Sequence, residues 1–439
     1  MLFYIMLLFL LPGLLLLLRR VLGKRLLPKI GLPPPVVSTK NGQVMGSWSY
    51  SGKGNRMFAN FQGIPYAKPP LGKLRFLRPE PVENWEGVKV CTKSIEFVQK
   101  NIFKKGTPSI GNENALVLNI YSPNLKGNFP VLVFIHGGGF TSGSNSSMLY
   151  GGEHFMDKEV VLVAINYRLS VLGGLFLDGD KVPGNQGMRD QVLALRWIQD
   201  NIGPFGGDKD RVTIFGESAG GMSVMNHILS PMSAGLFSAA ISQSGDSTSP
   251  FCCSSKHPAH YGYKLVEKLG INPKAPIDEI LLQLQRRDAH EIQDQGYMFE
   301  EFVRAPLPFK PIVDGGLVPD PFLPEEPMDL LRKGKFNKVP FITGTNKDEG
   351  LLLKAFYLAA PGGKSNFKTA WDKFNTIGPL AFFAKERDEV TAEESKACEN
   401  YKKKYFGETP FSHQGRGAEG LVKMYGDMLF AAPTDRTSR

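Results

Sequence analysis

The apolar positions of this chain fall into short, nearly uninterrupted runs bounded by turn residues. Lys338 to Thr345 reads as a further strand, expected at an exposed sheet edge, whereas Pro130-Val-Leu-Val-Phe-Ile, Val160 to Ile165 and Val212 to Phe215 are continuous runs rich in β-branched and aromatic side chains. Runs of that length and composition predict strands buried on both faces. Gln191 to Asp200 and Ala219 to Leu229 predict helices between them. Strands of this kind alternating with helices imply an α/β fold with a mainly parallel central sheet flanked by helices. Upstream, residues 36–66 alternate enough for short antiparallel strands, and Phe61 to Phe76 forms a Pro/Gly-rich loop. From Lys364 onward the pattern is helical and charged, and no internal repeat is visible.

Residues 1–18 are a separate case, because they are uncharged and leucine-rich and are followed by Arg19-Arg20. Eighteen residues is the lower limit of a membrane span. No basic residue precedes the run, as a secretory signal would want, so the stretch reads as a signal-anchor, with a cleaved signal peptide as the alternative. Residues 19–35 form a basic, proline-rich linker, and residues 36–439 form one folded domain. The positive-inside rule puts the basic flank, and the domain with it, on the cytosolic side of a membrane.

The net charge of +10 narrows once it is located. Arg19, Arg20, Lys24, Arg25, Lys29 and Lys40 account for six of the positive charges, with no acid among the first 40 residues. The body is close to neutral and carries no basic, aromatic-interleaved patch, which argues against nucleic acid as a partner. Cys91, Cys252, Cys253 and Cys398 match no zinc spacing and suggest no disulfide framework.

The candidate chemistry sits at Gly216-Glu-Ser-Ala-Gly220, between the strand Val212 to Phe215 and the helix from Ala219. Strand, G-x-S-x-G and helix in that order are the context of a nucleophile elbow, which would hold the Ser218 hydroxyl at the sheet edge. The helix N-terminus behind it favours negative charge developing at the reacting centre. Upstream, the apolar run from Pro130 ends in His136-Gly-Gly-Gly-Phe140, whose glycines would let successive amides point at one oxygen.

Several ordered stretches together resemble the type-B carboxylesterase and cholinesterase family within the α/β-hydrolase fold. They run from about Val36 to Pro433 and include Gly111-Asn-Glu-Asn-Ala-Leu, the His136 segment, Asn166-Tyr-Arg-Leu and Gly184-Asn-Gln-Gly-Met-Arg-Asp-Gln. Phe205-Gly-Gly-Asp, the elbow, Gln243-Ser-Gly and Asp348-Glu-Gly follow. The resemblance implies hydrolysis of a small-molecule carboxylic ester through an acyl-serine intermediate, with no metal or organic cofactor. It makes Ser218 the nucleophile, Gly138, Gly139 and Ala219 the oxyanion donors, and Glu349 the acid of the triad. It also pairs Arg75 with Glu113 in a structural salt bridge. The alternative on the same scaffold is a non-catalytic adhesion or binding protein, against which stand the intact Ser218 and Glu349.

Two departures from the family pattern matter. Ala115 stands where the family has a cysteine, and its partner before Gln99 is absent as well, since Phe97-Val98 fill that position. The family's catalytic histidine, in a His-x-Asp-Asp-like motif, is also absent. None of His136, His154, His227, His257, His260, His290 and His413 has that context. His136 and His227 read as packing groups and His413 as exposed. The expectation is therefore a domain truncated at its C-terminus, lacking the last strand and the catalytic-histidine region and impaired as an enzyme. Asn145-Ser-Ser is the only N-x-[ST] sequon, an acceptor for glycan only in a luminal domain.

Overall fold

A computed structural model describes residues 32–439 apart from 55, 101–107, 253–256, 300–306, 361 and 384–389. The N-terminal apolar run and most of the basic linker lie outside the described residues. Among those described, no helix is long and apolar enough to cross a membrane.

Three strands, β1 (Val36–Ser38), β2 (Gln43–Met45) and β5 (Val88–Val90), form a small sheet at the start of the domain. The central sheet holds β3 (Ser47–Tyr50), β4 (Met57–Pro65), β6 (Val117–Ser122), β7 (Phe129–Ile135), β8 (Val161–Ile165), β9 (Gly207–Glu217), β10 (Ala239–Gln243) and β11 (Phe341–Gly344). Its order is β11-β10-β9-β7-β8-β6-β4-β3. The run from β11 to β8 is parallel, and β6, β4 and β3 are joined to it by antiparallel pairings. This is the mainly parallel sheet that the apolar runs imply. Every residue of β8 and β6 is buried, as expected of strands covered on both faces.

The order places the site. From β7 the chain moves to β8 on one side and returns to β9 on the other, so the loops leaving β7 and β9 diverge. Such a switch point opens a crevice at the carboxyl ends of the strands. Ile135 pairs with Gly216, so the residues after each emerge side by side.

Two elements are longer than the sequence pattern suggests. The helix predicted over 191–200 runs Gln186–Asn201, because its polar first turn is buried rather than solvated. There Gln186 Nε2 donates to the carbonyls of Phe76 and Leu175, and Asp190 accepts from Arg168 at 2.8 and 2.7 Å. Likewise β9 begins at Gly207, its exposed Lys209 to Arg211 stretch being invisible to an apolar count.

A second hydrophobic core, distinct from that around the sheet, is built by the helices Leu351–Ala359, Ser365–Asp372, Phe374–Phe382, Ala392–Phe406 and Gly415–Gly426. Phe251 packs against both cores.

The Arg75 and Glu113 pair is present and buried, with guanidinium nitrogens 2.5 and 2.7 Å from the carboxylate oxygens. Arg75 also donates to the carbonyls of Leu284, Gln285 and Arg287, tying three stretches of chain together. Arg75→Met leaves the Glu113 carboxylate buried and unpaired, which is expected to lower stability by about 3–5 kcal/mol. Urea unfolding checks this, and a loss below ~1 kcal/mol contradicts it.

Among the described strands β11 is an edge, hydrogen-bonded to β10 alone. Ile342 is 64% exposed on it. An open apolar edge is a template for pairing with another chain. The purified 439-residue chain is expected to show an apparent mass that rises with concentration in light scattering, and Ile342→Lys is expected to reduce that rise. A wild-type chain that stays monomeric at tens of micromolar contradicts the prediction.

Candidate active site

Ser218 stands between β9 and the helix Ala219–Leu229 with φ 59° and ψ −125°. A non-glycine residue at positive φ carries strain of about 1–3 kcal/mol and persists only where its surroundings impose it. They do so here. The Ser218 N–H donates to the Gln243 carbonyl at 2.9 Å, and its own carbonyl accepts from Met222 N–H at 2.9 Å. The flanking glycines are required by close approach rather than by φ. A Cβ on Gly220 would lie 2.0 Å from the Ile135 carbonyl oxygen, and one on Gly216 would lie 2.7 Å from the same atom. The elbow read from the sequence is therefore an elbow in three dimensions.

The loop after β7 lies alongside. A Cβ on Gly137 would come within 3.1 Å of Ser218 Cβ, so the two loops are in contact. Gly138 and Gly139 take φ 109° and 63°. Together with Ser218 and Ala219 they line one wall of a cavity of about 280 Å³, and Met222, Phe251, Leu307, Leu353, Phe356 and Phe430 supply the apolar remainder. The structure thus brings together Ser218, Gly138, Gly139 and Ala219, four of the residues singled out in the sequence.

Glu217 also faces this cavity. Burial raises its carboxyl above the ordinary range, and the charge of Glu349 raises it further. Glu349 follows β11 and is half-buried, its carboxylate accepting from Asn346 N–H at 2.7 Å. Glu349 is not among the residues that line the cavity with Ser218. Among the described residues, no side chain is hydrogen-bonded to the Ser218 hydroxyl.

The histidines are engaged elsewhere. His136 is buried, stacked on Tyr167 at 4.4 Å, with Nδ1 2.9 Å from the Gly137 carbonyl oxygen. His227 bridges Ser233 Oγ at 2.7 Å and Gln191 Oε1 at 2.9 Å. Burial lowers these two rings to about 4 and about 3, so both are neutral near pH 7. They pack, as read from the sequence. His413 is half-buried against Phe367 rather than freely exposed, because the second core reaches its loop.

The glycan acceptor reading of Asn145 is corrected. Its side chain is 0% exposed, and its Nδ2 donates to the carbonyls of Val117 and Ala164. Its backbone N–H donates to Asn166 Oδ1 and its carbonyl accepts from Asn119 Nδ2, and the folded domain offers no room for a sugar there. Cys91, Cys252 and Cys398 are buried thiols. Among the described residues, no three His, Cys, Asp or Glu side chains group as a metal ion would require.

The sequence missed Glu217 as a cavity residue, although its place before Ser218 in the elbow was a usable signal. It also missed Phe251, Leu307, Phe356 and Phe430, which come from scattered segments with no local signature.

Residues 33–439 match the model of the carboxylesterase family. The chain is 36% identical over 419 residues to juvenile hormone esterase of Tribolium castaneum, covering 90% of this chain and 68% of that one. It is 41% identical over 331 residues to cocaine esterase of Homo sapiens, covering 72% and 56%. Among solved structures it resembles juvenile hormone esterase from Manduca sexta, with OTFP covalently attached. That match has a TM-score of 0.79 at 31% identity, covering 93% of this chain and 76% of that one. The sheet, the elbow and these matches agree: the chain belongs to the carboxylesterase family, has the α/β-hydrolase fold, and is a carboxylic ester hydrolase by lineage.

Proposed function

We propose that Ser218 is the nucleophile of this hydrolase and that Gly138, Gly139 and Ala219 donate their backbone N–H groups to the oxyanion. Glu349 is the acid that orients a base. The observation that carries the reading is Ser218 held at φ 59° beside glycines at φ 109° and 63° on the wall of one cavity. Serine Oγ attacks the ester carbonyl carbon, the carbonyl oxygen becomes an oxyanion, and the alcohol leaves with a proton. Water then releases the acid from the acyl-serine. The cavity's apolar wall favours esters with one apolar group beside the carbonyl, with room on the order of nine water volumes.

The reaction also needs a base. At neutral pH a serine hydroxyl is protonated, and attack needs an acceptor within hydrogen-bond reach of Oγ. What supports an impaired reading is the stretch from Gly350 to Arg439, which holds His413 alone and no His-x-Asp-Asp-like motif. The family match itself runs to residue 439. In a well-studied serine protease, loss of the histidine alone lowers kcat by about 10⁶. Turnover of a small aryl ester by the 439-residue chain is therefore expected to be negligible and no greater than that of its Ser218→Ala variant. Robust hydrolysis that disappears with Ser218→Ala contradicts the missing base and makes His136 and His227 the next residues to replace.

We also propose that residues 1–18 anchor the protein to a membrane with the basic flank on the cytosolic side. The family's habit of secretion or residence in the endoplasmic reticulum lumen is the competing placement. Carbonate extraction followed by protease protection is expected to leave the protein in the membrane and the domain digestible. A soluble product lacking the apolar run contradicts the anchor.

A further inference from the structure

The glycine loop does not hold itself. Gly138, Gly139, Phe140 and Gly143 all sit at positive φ, 109°, 63°, 59° and 112°. So many left-handed residues in one short loop are kept in place by their neighbours. Gly143 matters most, because it closes the loop on itself. A Cβ there would lie 2.4 Å from both the Gly137 carbonyl oxygen and His136 Nδ1. Wherever Gly143 is fixed, the far end of the loop beside Ser218 is fixed too.

Gln99 fixes it. Gly143 N–H donates to Gln99 Oε1 at 2.7 Å, and Gln99 Nε2 donates to the Gly143 carbonyl at 2.9 Å and to the Phe97 carbonyl at 3.2 Å. The pairing fixes which end of the amide is oxygen, since Gly143 N–H needs an acceptor and its carbonyl needs a donor. The side chain is only 6% exposed, and its backbone N–H and carbonyl pair with those of Ile110 at 2.8 Å. Tyr297 and His136 each make a single bond to this loop, to the carbonyls of Thr141 and Gly137. Among the described residues, Gln99 is the side chain that both donates to and accepts from the same residue of the loop.

We propose that Gln99 is a positioning residue for ester hydrolysis: its amide locks Gly143 and thereby aims the Gly138 and Gly139 N–H groups at the oxyanion. The inference rests on the assignment of Ser218 and the glycine loop given above.

The test is the labelling of Ser218 in the full chain by a fluorophosphonate, followed over hours by intact mass. It yields a limiting rate constant and a half-saturating concentration. Gln99→Met removes both bonds to Gly143, and that to Phe97, and is expected to slow the limiting rate by about 10- to 100-fold, with the half-saturating concentration within about twofold of wild type. Gln99→Glu is expected to give a pH signature. Its carboxylate has no proton to donate to the Gly143 carbonyl, whereas the neutral carboxyl reproduces the amide's donor and acceptor. Burial raises such a carboxyl, so the rate relative to wild type is expected to climb toward one between pH 8 and pH 5. His136, held at about 4 by its burial, stays neutral across that range. A purely structural role would not produce that climb.

Gln99→Met labelled within threefold of wild type, with Ser218→Ala unlabelled, overturns the positioning role and leaves the nucleophile in place. Wild type labelled no faster than Ser218→Ala overturns both. If circular dichroism shows Gln99→Met unfolded, the Gln99→Glu profile decides, and a flat ratio across the pH range overturns the proposal.

Discussion

The site depends on how closely three backbones approach one another. The helix that begins at Ala219 presses its first turn against the ends of β7 and β10, and it does so because no side chain stands at Gly216, Gly220 or Gly221. The Ile135 carbonyl oxygen occupies the space that a Cβ on Gly216 or Gly220 would need, while Ser242 and Gln243 crowd Gly221 from the other side. This contact brings Ser218 to the crossing, where it passes from strand to helix at φ 59°. The strain is a result of packing, balanced by burial of the whole helix, all of whose residues are buried.

From that contact the other features follow in order. Ile135 pairs with Gly216, so the chain leaves β7 and β9 at one level and the glycine loop arrives beside Ser218. The loop is gripped at its far end by Gln99, and just beyond it the Asn145 backbone is held by the buried side chains of Asn166 and Asn119. Farther out, Arg75 and Glu113 hold the neighbouring loop where the family's cysteine bridge is absent. Polar groups buried among apolar ones are fixed only when fully paired, and here they set geometry that apolar contacts alone would leave loose. The cavity opens at the seam between the sheet's core and the second helical core, which supplies Leu353, Phe356 and Phe430.

Much of this was legible in the sequence because it is local. The elbow needs only a strand, five residues and a helix, and the helix Ala219–Leu229 matches the pattern residue for residue. The parallel strands could be read because burial on both faces leaves continuous apolar runs. What was not legible is what distant segments decide together. Gln186, Arg189 and Asp190 look like a solvated turn until the chain that bonds them is known. Asn145 looks like a surface sequon, yet the carbonyls that bury it belong to Val117 and Ala164. Gln99 stood in the sequence only as a landmark beside a missing cysteine. Its partner Gly143 lies 44 positions away, and nothing in either stretch announces the other.

The oxygen of a tetrahedral adduct on Ser218 is expected to sit in the concavity of Gly138, Gly139 and Ala219. A crystal structure of the chain carrying a phosphonate on Ser218 measures it directly. The expected result is a phosphoryl oxygen about 3 Å from all three backbone nitrogens, with the apolar substituent directed toward Phe251 and Phe356. An adduct on another residue, or a phosphoryl oxygen turned away from the glycine loop toward solvent, would contradict it.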